Sequence, residues 1–98
     1  MHFFIVRVVL HNIQDKRHAS YTKLHTDMEA AGFSRQISNA AGIVYHLPPA
    51  EYLFYGDSTV AQVRDKARGV ANLVDSDNGV LAVKALAEDF AWVGLKVV

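Results

Sequence analysis

Between His2 and Leu10 apolar residues fill both alternating sets, Phe3, Ile5 and Val9 on one face and Phe4, Val6, Val8 and Leu10 on the other, with Arg7 the single charge. A strand apolar on both faces belongs in the middle of a sheet that is covered on at least one side. Polarity then rises in HNIQDKRHAS, His11 to Ser20, which reads as a long exposed loop of the kind that carries function or flexibility. From Ser20 to Ala31 the period changes. Tyr21, Leu24, Met28 and Ala31 recur at three- and four-residue spacing, which predicts a helix capped by Ser20 and stopped at Gly32. His25 sits beside that stripe, and Glu29 follows at the spacing that permits a hydrogen bond between the two.

Alternation returns with Phe33, Arg35 and Ile37 against Ser34 and Gln36, a second strand. Ser38 to Gly42 forms a turn, so this strand makes a hairpin with the stretch GIVYHLPPAEYLFYG, Gly42 to Gly56. That stretch holds two short strand-like runs joined by Pro48 and Pro49, neither of which can donate a backbone N–H. It must bend, bulge or lie on a sheet edge there. A bend of this kind re-aims side chains such as His46 and Glu51, and equally well protects an edge from aggregation. Thr59 and Gln62 have capping-box spacing ahead of a second helix whose stripe is Val60, Val63, Ala67, Val70, Ala71 and Val74. Asp75 to Gly79, DSDNG, ends it. Two β-like runs follow, Val80 to Ala85 and Phe90 to Val98, separated by Leu86 to Asp89.

The predicted order is β-α-β-β-α-β with an additional C-terminal strand. This is an α+β, ferredoxin-like two-layer sandwich with both helices on one sheet face, in a single domain over residues 1–98. The final run, FAWVGLKVV, leaves an edge to cover, and a homodimer through that strand is expected. No apolar run approaches the roughly 20 residues of a membrane span. The start MHFFIVRVVL lacks a basic leader and carries Arg7 inside its apolar run, a poor signal peptide, so a cytoplasmic protein is expected.

With no cysteine there is no disulfide framework, thiolate metal site or cysteine nucleophile. Formal net charge is zero, which argues against nucleic-acid binding by bulk electrostatics alone. The charge is nevertheless uneven. Arg7, Lys16, Arg17, Lys23 and Arg35, with four of the five histidines, precede Ser38 against only Asp15, Asp27 and Glu29. GxGxxG, GxxxxGK, HExxH and GxSxG are all missing, His11 and His18 lack ligand spacing, and DSDNG lacks the glutamate of a calcium loop, so neither metal nor cofactor is expected.

RNA cleavage needs a base for the 2′-hydroxyl, an acid for the leaving oxygen and a cation on the phosphate. His11, His25, His46 and Arg35 are of the right types. Arg17 is a second phosphate contact, and Tyr45, Tyr52 and Tyr55 are candidates for stacking on bases. The alternative is a non-enzymatic module that binds a protein partner through the same sheet and edge.

Two blocks, YTKLHTDMEAAGFSRQI and GIVYHLPPAEY, together resemble the signature of the family named for the endoribonuclease antitoxin GhoS, over Tyr21 to Tyr52. The resemblance implies a ferredoxin-like domain akin to VapD and to the small CRISPR adaptation nucleases, cleaving single-stranded regions of a toxin's messenger RNA. Those nucleases place an acidic metal ligand at the end of strand one. Here that end is Leu10-His11-Asn12, with Asp15 the nearest carboxylate, so a metal-independent reaction is expected.

Overall fold

The computed structural model describes residues 1–86 and 89–98. Its elements in order are β1 (His2–Leu10), α1 (Ala19–Ala30), β2 (Gln36–Ser38), β3 (Val44–His46), β4 (Glu51–Gly56), α2 (Val60–Val74) and β5 (Asn78–Ala85). The main sheet is antiparallel in the order β4-β1-β5, with Arg7 opposite both Glu51 and Leu81. On the outer side of β4, Ser34 and Leu53 exchange two backbone hydrogen bonds of 2.8 Å. The chain leading into β2 therefore borders β4, which completes the ferredoxin-like arrangement.

Strand parity divides the protein into two sides. Phe4, Val6, Val8 and Leu10 of β1 point to the helices and are buried with Tyr52, with Tyr21, Leu24 and Met28 of α1, and with Val63, Ala67 and Ala71 of α2. The odd-numbered residues of β1 face the opposite, open side.

The helices begin as local chemistry dictates. Thr59 Oγ1 accepts from Gln62 N at 3.1 Å and Gln62 Oε1 accepts from Thr59 N at 2.9 Å, the predicted capping box of α2. Val60 falls outside the buried stripe because it opens the helix at its exposed end. Helix α1 starts one residue before the expected cap, at Ala19. His18 Nδ1 accepts from Ser20 N at 3.1 Å and takes the capping role instead. Gly32 has φ +97°, the left-handed value that lets the chain leave α1 toward Phe33.

Pro48 and Pro49 split the stretch from Gly42 to Gly56 between two sheets. Before them β3 pairs only with β2, as the predicted hairpin; after them β4 pairs with β1. A turn closed by Glu51 N donating to Pro48 O at 3.2 Å joins the two, with Ala50 at φ +66°. The break has a consequence for β1. Val8 N reaches Ala50 O at 3.0 Å, and two residues on, Leu10 N faces the same side where no strand continues. The Tyr21 hydroxyl accepts from it at 3.0 Å, so a side chain of α1 replaces the missing strand.

DSDNG is shorter as a turn than its composition suggests, since β5 already begins at Asn78. Asn78 is buried and donates through Nδ2 to Asn72 Oδ1 at 2.9 Å and to Asp75 O at 2.6 Å, tying the end of α2 to the start of β5. The additional C-terminal strand is brief: Val97 bridges Tyr45, with His46 N donating to Lys96 O at 2.9 Å and Val98 N to Val44 O at 3.0 Å. Ahead of it the chain crosses the open side, where Phe90 packs edge-on against Phe3. Ala87 and Glu88, in the predicted turn from Leu86 to Asp89, lie outside the described residues. Among the described residues no helix is long and apolar enough to cross a membrane.

The Tyr21 contact is testable. Replacing Tyr21 by Phe keeps the ring but leaves the buried Leu10 N–H without its acceptor, and denaturant unfolding should show a loss of about 1–3 kcal/mol. An unchanged midpoint would mean that water or a small shift replaces the hydroxyl.

Candidate functional site

The predicted site residues separate onto different surfaces. Helix α1 presents His25 and, one turn later, Glu29; the segment entering β2 supplies Ser34, Arg35 and Gln36; β3 supplies His46, opposite Gln36 in register. Glu29, Ser34, Arg35, Gln36 and His46 line an open cleft of about 190 Å³. Leu47 N donates to Arg35 O at 2.8 Å, which sets Arg35 opposite Leu47, one step along from the Gln36–His46 pair. Ser34 Oγ is turned back on its own chain, accepting from Gln36 N at 3.0 Å.

Behind this cleft His25 Nδ1 lies 2.6 Å from the Tyr52 hydroxyl. Tyr52 is fully buried, and its ring packs beside that of His25. Burial pushes the Tyr52 phenol well above its usual value, with Glu29 and Tyr21 adding in the same direction and Arg35 opposing, so the hydroxyl stays protonated. Burial also lowers the His25 pKa, and the positive charge of Arg35 lowers it further, so the ring is held neutral near pH 7.

Counting donors and acceptors then fixes the tautomer. The buried Tyr52 O–H needs an acceptor, and His25 Nδ1 is the one bonded to it among the described residues. The proton of neutral His25 therefore resides on Nε2. In that tautomer His25 offers a donor outward, and its other ring nitrogen is taken up by Tyr52. Protonating it would force Nδ1–H against Tyr52 and strand the phenolic hydrogen.

Of the four proposed catalytic residues, His46 and Arg35 line the same cleft, His25 lies near enough to feel the charge of Arg35, and His11 stands apart. The odd parity of His11 puts it on the open side; its backbone N donates to Asp77 O at 3.0 Å and its ring lies over Gly79. His11 and His46 stand apart because β1 pairs with β4, beyond the prolines, and not with β3. Arg17 is exposed in the loop before α1, bonded to Asp15 Oδ1 at 3.3 Å; a hydrogen bond from Arg17 N, then this guanidinium, holds the Asp15 carboxyl below its usual pKa.

The tyrosines also divide. Tyr52 has 0% exposure and cannot stack on a base, a correction that follows from its helix-facing parity opposite Val6. Tyr55 is 53% exposed and rests on Phe3 with ring centres 4.5 Å apart. Tyr45 packs edge-on against Trp92 at 5.6 Å. Both lie away from the cleft. The helix-surface bond expected between His25 and Glu29 is replaced by the one to Tyr52, which leaves Glu29 to line the cleft. Partners 27 residues apart have no local signal in the sequence.

Among the described residues no three His, Asp or Glu side chains converge in a way that could hold a metal ion. No protein-family model, curated protein or solved structure matches the chain.

The linkage at His25 has a definite sign. Above the unfolded value of about 6.5 the ring is neutral in both states and contributes no pH dependence. As pH falls through that value the unfolded chain binds the proton more readily, so stability drops, levelling off below the depressed folded value. Thermal melts from pH 8 to pH 5 should show this decline, and His25→Gln should make it shallower. Equal slopes for the two proteins would contradict the neutral, Tyr52-bonded ring.

Proposed function

We propose that the cleft between α1 and the β2–β3 hairpin binds and cleaves single-stranded RNA without a metal ion. The observation that supports this most is the convergence of Arg35 and His46 on one open cleft, backed by a histidine locked as a hydrogen-bond donor. Arg35 forms none of the ion pairs found among the described residues, so its guanidinium is available to two phosphate oxygens. His46 is exposed and takes the proton of the 2′-hydroxyl. The 2′-oxygen then forms its bond to phosphorus as the bond to the 5′-oxygen breaks, giving a 2′,3′-cyclic phosphate and a 5′-hydroxyl. Water in the open cleft supplies the proton to the departing oxygen, and His46 returns its own to solvent. His25 Nε2–H, directed by Tyr52, steadies the phosphate as a neutral donor. The resemblance to the GhoS-type family adds the substrate class, a single-stranded region of a toxin's messenger RNA.

The test is incubation of the purified protein with a mixed pool of single-stranded RNAs in EDTA, with end-mapping of fragments. Discrete cuts are expected, reduced at least tenfold by His46→Ala and by Arg35→Ala. Neither residue belongs to the buried core, so both variants should melt near the parent temperature. RNA left intact throughout the pool, or cutting indifferent to both substitutions, overturns the proposal.

One observation favours a second reading, a protein-interaction module. On the open side Leu81 and Val83 of β5 are 62% and 49% exposed beside Val9, and β5 has no further strand beyond it among the described residues. The C-terminal strand, through which pairing was expected, already meets β3 of its own chain at Val97. A homodimer would accordingly form at β5. Light scattering should then give twice the chain mass, and Leu81→Lys should return the monomer; a monomer at high concentration dismisses this surface as a dimer contact.

A further inference from the structure

A second concavity lies on the open side of the sheet, next to the cleft but built from different chemistry. Phe3 of β1 and Leu53 of β4 form its floor, Ile37 and Asn39 come from the hairpin, and Phe90 and Trp92 reach over from the C-terminal segment. Its volume is about 300 Å³. That is the lower end of the range for small-molecule sites, enough for one flat ring system and too little for an extended ligand.

Three features narrow the occupant. The walls are aromatic: Phe3 is packed by Tyr55 at 4.5 Å and by Phe90 at 5.8 Å, while Trp92 is held by Tyr45. Rings fixed in this way offer faces and edges at little cost in side-chain entropy. The rim carries a polar group of defined orientation. Asn39 Oδ1 accepts from Ala41 N at 3.0 Å and from Ile43 N at 2.9 Å, which leaves its amide nitrogen as a donor with no partner among the described residues. Finally, β2 links the two concavities. Ile37 and Asn39 follow Arg35 by two and four residues on extended chain, roughly 7–13 Å, a distance that neighbouring nucleotides of an extended strand cover.

We infer that this aromatic slot is a base-binding subsite, which takes a nucleobase of the single-stranded RNA whose phosphate lies at Arg35. Stacking on aromatic rings is a sequence-tolerant way to hold unpaired bases, and the Asn39 amide adds a donor for a base carbonyl or ring nitrogen. The assignment rests on the RNA reading of the cleft, and explains how a chain of zero net charge holds RNA: aromatic contact supplies what bulk electrostatics does not.

Trp92 is the single tryptophan; it also lines a neighbouring concavity beside Pro48 and Leu95, so substitutions at Phe3 and Ala40, which line this slot and not that one, assign any quenching to the slot. The full chain in EDTA is titrated with adenosine, uridine, ribose 5-phosphate and an end-labelled single-stranded RNA oligomer, with anisotropy and fragment mapping followed in parallel. Saturable quenching is expected from the nucleosides and the oligomer and not from ribose 5-phosphate. Phe3→Ala should weaken nucleoside binding at least tenfold. Ala40→Phe, on an exposed turn at the slot mouth, should do the same without touching the core, which keeps the test valid if the first variant unfolds. Arg35→Ala should weaken the oligomer and leave the nucleosides unaffected. Fluorescence unmoved while the oligomer binds or is cut overturns the slot and spares the cleft. Nucleoside quenching with an oligomer neither bound nor cut supports the slot as a base site and overturns the nuclease reading. No response by any measure overturns both.

Discussion

Two adjacent prolines constrain this protein more than any other feature. Because neither Pro48 nor Pro49 can donate to a ladder, one apolar stretch becomes two strands with different partners, β3 on β2 and β4 on β1. The turn between them needs a left-handed residue, and Ala50 adopts φ +66° there at a cost that glycine would avoid. The rest follows from that division. The hairpin is released from the main sheet, so Arg35 and His46 stand beside α1 rather than beside β1. Leu10 loses a strand partner and recruits the Tyr21 hydroxyl, which anchors α1 one turn before His25.

The same division gives the sheet two unlike faces. Toward the helices the even positions of β1 are sealed by α1 and α2, and Lys66 lies over Phe54 at 5.0 Å, its stem shielding an aromatic at the margin of the core. The open side is covered only over β4 and part of β1, by the hairpin and the C-terminal segment. Leu81 and Val83 are left bare. A slot arises where a short aromatic segment crosses a sheet without pairing along it, since neither the segment nor the strands below can close the gap between them.

Much of this was legible from period and spacing. Strand β1, both helices, the capping box at Thr59 and the hairpin from Phe33 onward are local patterns, and local patterns determine them. The helix-facing fate of Tyr52 was not legible, because β4 takes its parity from register with β1 and nothing inside Glu51–Gly56 reveals it. His25 illustrates the same limit. Its nearest complementary group in the sequence is Glu29, yet desolvation under α1 favours the buried phenol of Tyr52 over an exposed carboxylate. The C-terminal run reads as a strand by composition, but Gly94, at φ +80°, turns the chain and confines pairing to its last residues.

The pairing of His25 with Tyr52 also decides how the candidate residues divide their chemistry. A histidine with both nitrogens in water can act as acid or base. One whose Nδ1 accepts the hydrogen bond of a buried phenol loses that acceptor on protonation, because a proton taken up at Nδ1 leaves the phenolic hydrogen without a partner. Arg35 reinforces the choice electrostatically, since an imidazolium beside a guanidinium in a half-buried setting is disfavoured both by desolvation and by like charge. His25 is thereby converted from a titrating group into a fixed dipole near neutral pH. In the proposed cleavage reaction, proton transfer would accordingly fall to His46, which the hairpin leaves exposed.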